Sequence, residues 1–420
     1  MYYSKHNSYR LILALLLMMA SIYANADKPD LKFRRLDTRN GLSNSQVNCI
    51  LKDSKGFVWI GTQYGLNRYD GYRFREFHSN IKDSTALLSD YVDNLFEDVD
   101  GKIWVQQELK YCVYDPKTEQ FEQNLSPWLN RAGVEGAVEK VYIDKRKNYW
   151  IKVWGGKLYY YNPSKNIKSN FVVDDAKYGP NSGLSSFDSY GKHTVMILKN
   201  GVIAALDGDK GKVVWVSNYV KQRQTADVVN NSIYIDHDRN YWVMTDGDCY
   251  VYMQKTRKWY NGVNHLLRKL GFADVPKVEM VTSAMEDRNG HMFLGTNHSG
   301  LFVLDFAKKR IYQYEKDINN ETSFSDINVV CLYLDRSGQM WIGTYMGGVN
   351  QVVFGNTYVS NLKTGSVNTV TEDKDSNYWL GTNESGIYRY NPITGESRHF
   401  TAADGLTSNI LVASLCASDG

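Results

Sequence analysis

Eight residues of this 420-residue chain carry side chains suited to binding a polyhydroxylated ligand, and each follows a short aliphatic strand at a corner of the chain. They are Tyr64, Gln107, Glu108, Trp154, Asp246, Asn297, His298 and Tyr345. Amides and carboxylates form directional hydrogen bonds with hydroxyl groups, and the C–H faces of a sugar ring pack on exposed aromatic rings. Any one of these residues is more typical of a solvated loop, so the predicted carbohydrate-binding surface depends on the set.

Motifs for covalent, phosphate or metal chemistry are absent from the sequence. The segments "DVDG" (98–101) and "DGDKG" (207–211) share the composition of a calcium loop, but no complete loop with a distal Glu follows. We therefore predict no metal and no cofactor. A propeller lyase or glycosidase that recruits Glu108, Asp246 and His298 is the enzymatic alternative, since sequence does not show the carboxylate separation on which glycoside hydrolysis depends.

The corners belong to a unit that recurs along the chain. "DSKGFVWIGTQYGLNRYDG" (53–71) returns as "DRSGQMWIGTYMGGVNQV" from Asp335 and as "DKDSNYWLGTNESGIYRYNP" from Asp373. In each copy an aromatic residue stands six positions after an Asp. The clear pairs are Asp53–Trp59, Asp98–Trp104, Asp144–Trp150, Asp236–Trp242, Asp287–Phe293, Asp335–Trp341 and Asp373–Trp379. A degraded copy is expected at "ILKNGVIAALDGD", with Gly201 holding the turn and Ile203 replacing the aromatic residue.

The residue pattern of each copy predicts four short strands, of which the first two are apolar on both faces. Such a unit cannot bury both faces alone, so the copies must stack radially, with the aromatic residues as spacers between neighbouring sheets. We predict an all-β fold, a seven-bladed β-propeller of four-stranded blades over residues 27–356. The strand "LKFRRL" (31–36) is expected to complete the seventh blade from outside. An eight-bladed ring that includes the Trp379 copy is the alternative.

Residues 357–420 hold one full blade and the start of another, which repeats the opening phrase of the first blade. A lone blade would expose two apolar faces. We therefore interpret this segment as the first blade of a second, truncated propeller.

The N-terminal residues 1–26 have the features of a signal peptide. Lys5 and Arg10 precede the apolar run "LILALLLMMA", and Ala24-Asn25-Ala26 fits a cleavage site. An uncleaved membrane anchor is the alternative, although the apolar run is short for a span of about 20 residues.

The formal net charge of the chain is +3, and its Lys and Arg residues are scattered rather than clustered in a basic stripe. Nucleic acid is therefore not expected as a partner.

The five cysteines show no paired spacing, which predicts small buried hydrophobic residues rather than a disulfide framework. Cys49 and Cys331 stand at equivalent positions of the first and seventh copies. A bridge between them would require Cα atoms within about 7 Å.

The phrases "GLSNSQVNCILKDSKGFVWIGTQYGLNRYDGYRF", "DRSGQMWIGTYMGG" and "DKDSNYWLGTNESGIYRYNP" resemble the two-component-regulator propeller repeats. Residues 31–420 as a whole resemble the N-terminal periplasmic sensor region of hybrid two-component system proteins. In that family two seven-bladed propellers precede a β-sandwich domain, a membrane helix, a histidine kinase and a response regulator.

The resemblance implies a periplasmic receptor for glycan-derived oligosaccharides. It also implies that the full-length parent is a homodimer, held in the inner membrane by a helix that this chain lacks. The family's catalytic residues lie beyond Gly420, so we expect no enzyme activity in this chain. The second and third copies depart from the pattern, because "WVQQ" and "WIKV" replace the usual Gly-Thr. A secreted propeller that binds protein partners on the same surface, without a kinase, is the alternative function.

Overall fold

The computed structural model describes residues 29, 31–224, 230–353, 364–391 and 396–417 of the chain. The predicted signal peptide, residues 1–26, lies outside these ranges. The chain divides into two compact units, Met1–Gly355 and Asn356–Gly420, close to the boundary that the repeats place at residue 356. The all-β prediction is confirmed, because four-stranded antiparallel sheets dominate the regular structure.

In the first unit the described residues form seven four-stranded sheets, which we number in the order of their inner strands. The first sheet comprises β2 (Val47–Lys52), β3 (Val58–Thr62), β4 (Leu66–Tyr69) and β5 (Phe74–Phe77). The second comprises β6 (Asn94–Glu97), β7 (Ile103–Gln107), β8 (Lys110–Asp115) and β9 (Gln120–Glu122). The third comprises β10 (Val138–Ile143), β11 (Tyr149–Val153), β12 (Lys157–Asn162) and β13 (Ile167–Val172).

The fourth to sixth sheets repeat the same strand order. The fourth comprises β14 (Leu184–Tyr190), β15 (His193–Leu198), β16 (Ile203–Asp207) and β17 (Lys212–Ser217). The fifth comprises β18 (Ser232–Ile235), β19 (Tyr241–Met244), β20 (Cys249–Met253) and β21 (Lys258–Asn261). The sixth comprises β22 (Val281–Glu286), β23 (Met292–Thr296), β24 (Leu301–Asp305) and β25 (Arg310–Tyr314).

The seventh sheet joins the two ends of the first unit. It comprises β26 (Val329–Leu334), β27 (Met340–Thr344), β28 (Val349–Val353) and β1 (Lys32–Leu36). Strand β1 pairs antiparallel with β28, from Lys32 opposite Val353 to Leu36 opposite Val349. The expectation that the N-terminal strand completes this sheet from outside is confirmed.

The described residues include three short helices in the connections between sheets: α1 (Ser126–Ala132), α2 (Asp175–Tyr178) and α3 (Val263–Lys269). A 3-10 turn at Thr38–Asn40 precedes the first sheet. Helix α3 inserts Val263, Leu266 and Leu267 into the core between the fifth and sixth sheets. Within the described ranges, none of the helices has the length and apolar character needed to cross a membrane.

The inner strands, β2, β6, β10, β14, β18, β22 and β26, form a ring around a central channel. Contacts between them follow the chain order, and β26 returns to β2. The step from β10 to β14 is bridged by the Lys145 amide, which donates to Ser189 Oγ over 3.2 Å. Sheets arranged around an axis in this way form a propeller.

The recurring aspartate accepts a hydrogen bond from the indole N–H of the tryptophan six residues later. The Oδ2–Nε1 distances are 2.7 Å for Asp53–Trp59, 3.1 Å for Asp98–Trp104, 3.3 Å for Asp144–Trp150, 3.0 Å for Asp236–Trp242 and 3.2 Å for Asp335–Trp341. In the sixth sheet Phe293 has no donor, and His291 Nδ1 lies 3.0 Å from Asp287 Oδ2 instead. The other carboxylate oxygen holds the turn, since Asp53 Oδ1 accepts from the backbone amides of Lys55 and Phe57.

The aromatic residues of the repeat are buried at the interfaces between neighbouring sheets. Those in the first unit are at most 4% exposed: Trp59, Trp104, Trp150, Trp242, Phe293 and Trp341. Trp59, for example, packs its ring 4.9 Å from Tyr114 of the second sheet. Each ring therefore fills the space between its own sheet and the next.

The fourth sheet corrects the sequence assignment of its repeat. Gly201 was expected at the turn between the first two strands, with Ile203 in the aromatic position. That turn is instead at Gly191, because β14 ends at Tyr190 and β15 begins at His193. The residue in the tryptophan position is Val195, which pairs with Asp188 and is fully buried. The prediction was wrong because this sheet lacks both the Asp and the aromatic residue that mark the register elsewhere.

The Gly-Thr dipeptide of the repeat has a packing reason. A Cβ on Gly61 would lie 2.6 Å from Val92 Cγ1 of the next sheet, and a Cβ on Gly295 would lie 2.4 Å from Val329 Cγ1. The threonine then closes the corner, as when Thr62 Oγ1 donates to the Gly65 carbonyl over 2.8 Å. Only glycine allows the second strand of one sheet to approach the chain that enters the inner strand of the next sheet this closely.

The second unit contains one described sheet and a 3-10 turn. The sheet comprises β29 (Val367–Glu372), β30 (Tyr378–Thr382), β31 (Ile387–Tyr390) and β32 (Ser397–Phe400), and Ala402–Asp404 forms the turn. Trp379 is half-buried, stacks on Phe400 at 5.7 Å and donates to Asp373 over 2.8 Å. Val370 and Val412 are 60% and 79% exposed.

The cysteines in the described residues are free thiols. Cys49 packs in the core between the first and second sheets, whereas Cys331 packs in the core between the seventh and first. The two side chains therefore enter different interfaces, which explains why adjacent sheets do not bring them into a bridge.

Candidate ligand-binding rim and channel

One end of the ring gathers the corners that follow the second strands and the connections between successive sheets. We call this end the rim. Its parts are tied together by backbone hydrogen bonds, such as those from Gly65 to Asp90 at 2.7 Å and from Gly300 to Ile327 at 2.8 Å. The glycine of one corner thus holds the connection that leads to the next sheet, so the rim has a defined shape.

The rim contains a cavity of about 440 Å³ between the fourth, fifth and sixth sheets. Most of its lining consists of neutral polar side chains: Ser185, Ser186, Asn230, Asn231, Ser232, Thr245, Thr282 and Asn297. Asp246 contributes a carboxylate, and Met244, Gly247, Met280 and Val281 complete the wall. We call this space the rim cavity.

Asn231 organises the floor of the rim cavity and is 2% exposed. Its Nδ2 donates to the carbonyls of Leu198 and Lys199 at 2.9 and 3.1 Å, and its backbone N–H donates to Ser185 Oγ at 2.8 Å. Among the described residues, no donor lies within hydrogen-bond distance of Asn231 Oδ1. A buried acceptor without a donor costs free energy.

The rim cavity opens into the central channel, a space of about 730 Å³ lined by the inner strands of all seven sheets. Ser186, Ser232, Met244 and Thr282 line both spaces, so the rim cavity and the channel are adjacent. At one level of the channel the same register position recurs in every sheet. Its occupants are Cys49, Asn94, Lys140, Ser186, Ser232, Ser283 and Cys331.

The end of the ring opposite the rim is held by charged groups that link several sheets. Glu97 of the second sheet accepts from the Ser54 amide of the first at 2.5 Å and from Lys147 of the third at 2.8 Å. Arg336 of the seventh sheet lies 3.4 Å from the same carboxylate. Burial alone would raise the pKa of Glu97, but the hydrogen bonds from Lys147 and Ser54 lower it overall.

The predicted site residues do not all meet in one place. Asp246 and Asn297 line the rim cavity. Tyr64, Trp154 and Tyr345 are 56%, 57% and 48% exposed on separate corners of the rim. They could stack on sugar rings, but outside the cavity.

Three predicted residues have backbone or packing roles. Glu108 and His298 are exposed at corners with positive φ, 56° and 81°, and their amides donate to Asp93 and Asn328. Gln107 is a correction, because it is 1% exposed. Its amide oxygen accepts from the Leu88 N–H at 3.2 Å and its amide nitrogen donates to the Ser89 carbonyl. Its side chain therefore holds a loop and does not face a ligand.

Sequence reasoning missed Ser185, Asn231, Thr245 and Lys140, because none lies at a corner residue of a recognised repeat. One signal was available for Lys140 and its strand partner Lys152. The third copy has "WIKV" where the copies at Trp59, Phe293, Trp341 and Trp379 have Gly-Thr, and Lys152 occupies the glycine position. The second, fourth and fifth sheets hold Gln106, Ile197 and Met244 there, so Lys152 is distinguished by its charge.

The two calcium-like segments have structural roles. Asp98 is the turn aspartate of the second sheet. Asp209 accepts from Tyr160 at 2.6 Å and from Asn162 and Lys165 at 3.1 Å, and the Tyr160 hydrogen bond leads the causes that lower its pKa to about 2. Within the described residues, no three His, Cys, Asp or Glu side chains cluster as metal ligands. The enzymatic alternative recruits Glu108, Asp246 and His298. Of these three residues, only Asp246 lines the rim cavity.

A family model for the two-component regulator propeller matches residues 41–64 and 323–346. These segments cover the first two strands of the first and seventh sheets with the connections before them. Histidine kinase P4 of Formosa agariphila is 34% identical over 73 residues, which is 17% of this chain and 5% of the kinase.

Two solved structures from B. thetaiotaomicron share the fold at 19% identity. The extracellular domain of the hybrid two-component system BT3049 gives a TM-score of 0.59, covering 93% of this chain and 51% of the domain. The extracellular domain of the hybrid two-component system BT4673 gives a TM-score of 0.56, covering 91% of this chain and 49% of the domain. The chain therefore spans about half the length of these domains.

The repeat motif, the radial sheets and the structural neighbours agree with one another. The chain carries two-component regulator propeller repeats, on a fold shared with the extracellular domains of two-component sensors.

Proposed function

We propose that this chain is the ligand-sensing propeller region of an exported two-component sensor, and that a glycan-derived oligosaccharide binds in the rim cavity. The observation that supports this most directly is the lining of the cavity. Neutral hydroxyl and amide groups from three sheets converge there around the buried Asn231, whose Oδ1 has no donor among the described residues. An oligosaccharide offers many hydroxyl donors and acceptors, and such a lining can bind several of them at once.

Ligand binding would be transmitted through the ring, because the cavity touches three sheets. A sugar that contacts Ser185, Asn231 and Asn297 would fix the relative positions of the fourth, fifth and sixth sheets. We propose that the full-length parent is a periplasmic, homodimeric receptor anchored in the inner membrane by a helix outside this chain. In this proposal the kinase and the DNA-binding part also lie outside the chain, so this region has no catalytic role and no nucleic-acid partner.

Isothermal titration of the chain with oligosaccharides of graded length tests the proposal. Asp246→Ala and Asn297→Ala should each weaken binding about tenfold, as expected for the loss of one or two hydrogen bonds to a ligand. Asn319→Ala, on an exposed connection outside the cavity, is the matched control and should bind like the wild type. Binding that neither cavity substitution changes, or an absence of binding across the panel, would contradict the assignment.

A protein-binding rim is a second candidate function, favoured by exposed apolar side chains. Ile81, Ile318 and Met346 are 103%, 90% and 74% exposed at the rim end of the first, sixth and seventh sheets. Exposed apolar residues of this size mark interaction surfaces when they cluster. If the rim joins two copies of the chain, sedimentation equilibrium should show a dimer that Ile81→Ser and Ile318→Ser dissociate.

A further inference from the structure

Lys140 stands at the junction between the channel and the rim cavity. It occupies the recurring inner-strand position that holds Cys, Asn or Ser in the other six sheets, and it lines the channel. Its Nζ donates to the carbonyl oxygen of Ser185, a residue of the rim cavity. The ammonium group is therefore directed toward the place where the two spaces meet.

The Lys140 ammonium forms no ion pair within the described part of the chain. No carboxylate oxygen of the described residues lies within 4.0 Å of Lys140 Nζ. Glu139 pairs instead with Lys152 at 3.1 Å, and Asp93 accepts the Glu108 amide. These two acids raise the pKa of Lys140 from a distance, but burial, the largest cause, and the charge of Lys199 lower it overall.

Other cations lie beside Lys140. In the register of the third sheet Lys140 is directly opposite Lys152, whereas the equivalent pair in the first sheet is Cys49 and Gly61. Like charges opposite one another destabilise a sheet. Lys199 extends along Gly183, at the start of β14, and its charge adds to burial in lowering the pKa of Lys140. A partly buried ammonium that forms no ion pair also costs free energy, which a bound anion would offset.

We propose that Lys140, assisted by Lys199, binds an anionic substituent of the ligand, a carboxylate or a sulfate ester, and that the sensed oligosaccharide is acidic. This inference rests on the proposed function of the rim cavity. Asn231 donates to the backbone carbonyl of Lys199, so the segment that carries this lysine is held against the floor of the rim cavity. In this proposal a single acidic sugar residue contacts both the lysines and that floor.

Titration calorimetry with three oligosaccharides of equal length tests the inference: an oligouronide, a sulfated oligosaccharide and a neutral one. At least one acidic oligosaccharide should bind the wild type tenfold or more tightly than the neutral one. Lys140→Met should abolish that difference and leave neutral binding within twofold, and Lys140→Arg should retain it. The oligouronide and the sulfated oligosaccharide distinguish the two anionic groups.

Ligand-free thermal melts separate binding from a structural role. Because Lys140 has no ion pair, Lys140→Met should leave Tm unchanged or raise it. Lys145 lines the same channel but pairs with Asp188 at 3.0 Å, so Lys145→Met should lower Tm. A fall in Tm for Lys140→Met as large as that for Lys145→Met would overturn the inference.

Inorganic sulfate provides a test that does not depend on oligosaccharides. At matched ionic strength, sulfate should raise the wild-type Tm more than chloride does, and this difference should be smaller in Lys140→Met, where only the general salting effect of sulfate remains. An identical sulfate effect in both proteins, or equal binding of acidic and neutral oligosaccharides, overturns the anion site while leaving the proposed function standing. A failure of every oligosaccharide to bind, with the sulfate difference intact, contradicts the proposed function instead.

Discussion

Replacing Trp59 tests whether the repeat aromatic holds neighbouring sheets apart. The side chain is 1% exposed, stacks on Phe77 at 5.7 Å and packs against Tyr114 at 4.9 Å. Truncation of a buried tryptophan typically costs about 3 to 5 kcal/mol, and Trp59→Ala is expected to lower the free energy of unfolding by that amount. Trp154→Ala, at a 57% exposed tryptophan on the rim, is the control and should change it by about 0.5 kcal/mol or less.

A second set of variants separates the hydrogen bond from the packing. Trp59→Phe keeps most of the ring but removes the donor to Asp53, and a lost bond to a charged group costs about 1.5 to 3 kcal/mol. The sixth sheet shows how the donor can be replaced, because His291 serves Asp287 in place of an indole. The double variant Phe57→His, Trp59→Phe copies that arrangement and should recover roughly 1 kcal/mol.

Guanidinium unfolding followed by both circular dichroism and fluorescence measures these differences, and coincident transitions show that a single free energy is defined. A loss below about 1 kcal/mol for Trp59→Ala would refute the spacer role, since so small a cost is typical of a partly exposed residue.

Two further predictions concern the contacts that close the ring. A Cβ at Gly343 would lie 2.5 Å from Cys331 Sγ and 2.7 Å from Val47 Cγ1, so Gly343→Ala should destabilise the fold by about 1 to 3 kcal/mol in the same melts. Adding Val47→Ala to Gly343→Ala should restore part of the lost stability. If it restores none, the new Cβ does not clash with Val47. Burial alone would raise the pKa of Asp335, but hydrogen bonds led by Lys52, 2.7 Å away, hold it at about 2. The stabilisation of the fold by the ionised Asp335 carboxylate should be complete above about pH 4 and should disappear as pH falls through 2. In Asp335→Asn, Tm measured from pH 2 to 6 should no longer show this pH dependence.

The recurring residues of the chain allowed the architecture to be predicted from sequence. An aromatic residue at a fixed distance from an aspartate, repeated along the chain, has one simple packing solution, and the rings from Trp59 to Trp341 occupy it. The same reasoning placed Leu31–Leu36 beside the seventh sheet. It failed at Gly201, where the local signal is missing and only pairing with neighbouring strands sets the register.

The candidate site was decided by the tertiary structure. Ser185, Asn231, Asp246 and Asn297 stand far apart in the sequence, and they share a cavity only because successive sheets repeat one geometry around an axis. Burial is likewise a property of the assembled ring: it hides Gln107 and leaves the Lys140 ammonium without a carboxylate partner among the described residues. Sequence pattern determines which residues recur, since packing between identical units constrains them. The surroundings of a side chain that does not recur depend on the neighbouring sheets, which only the folded ring brings together.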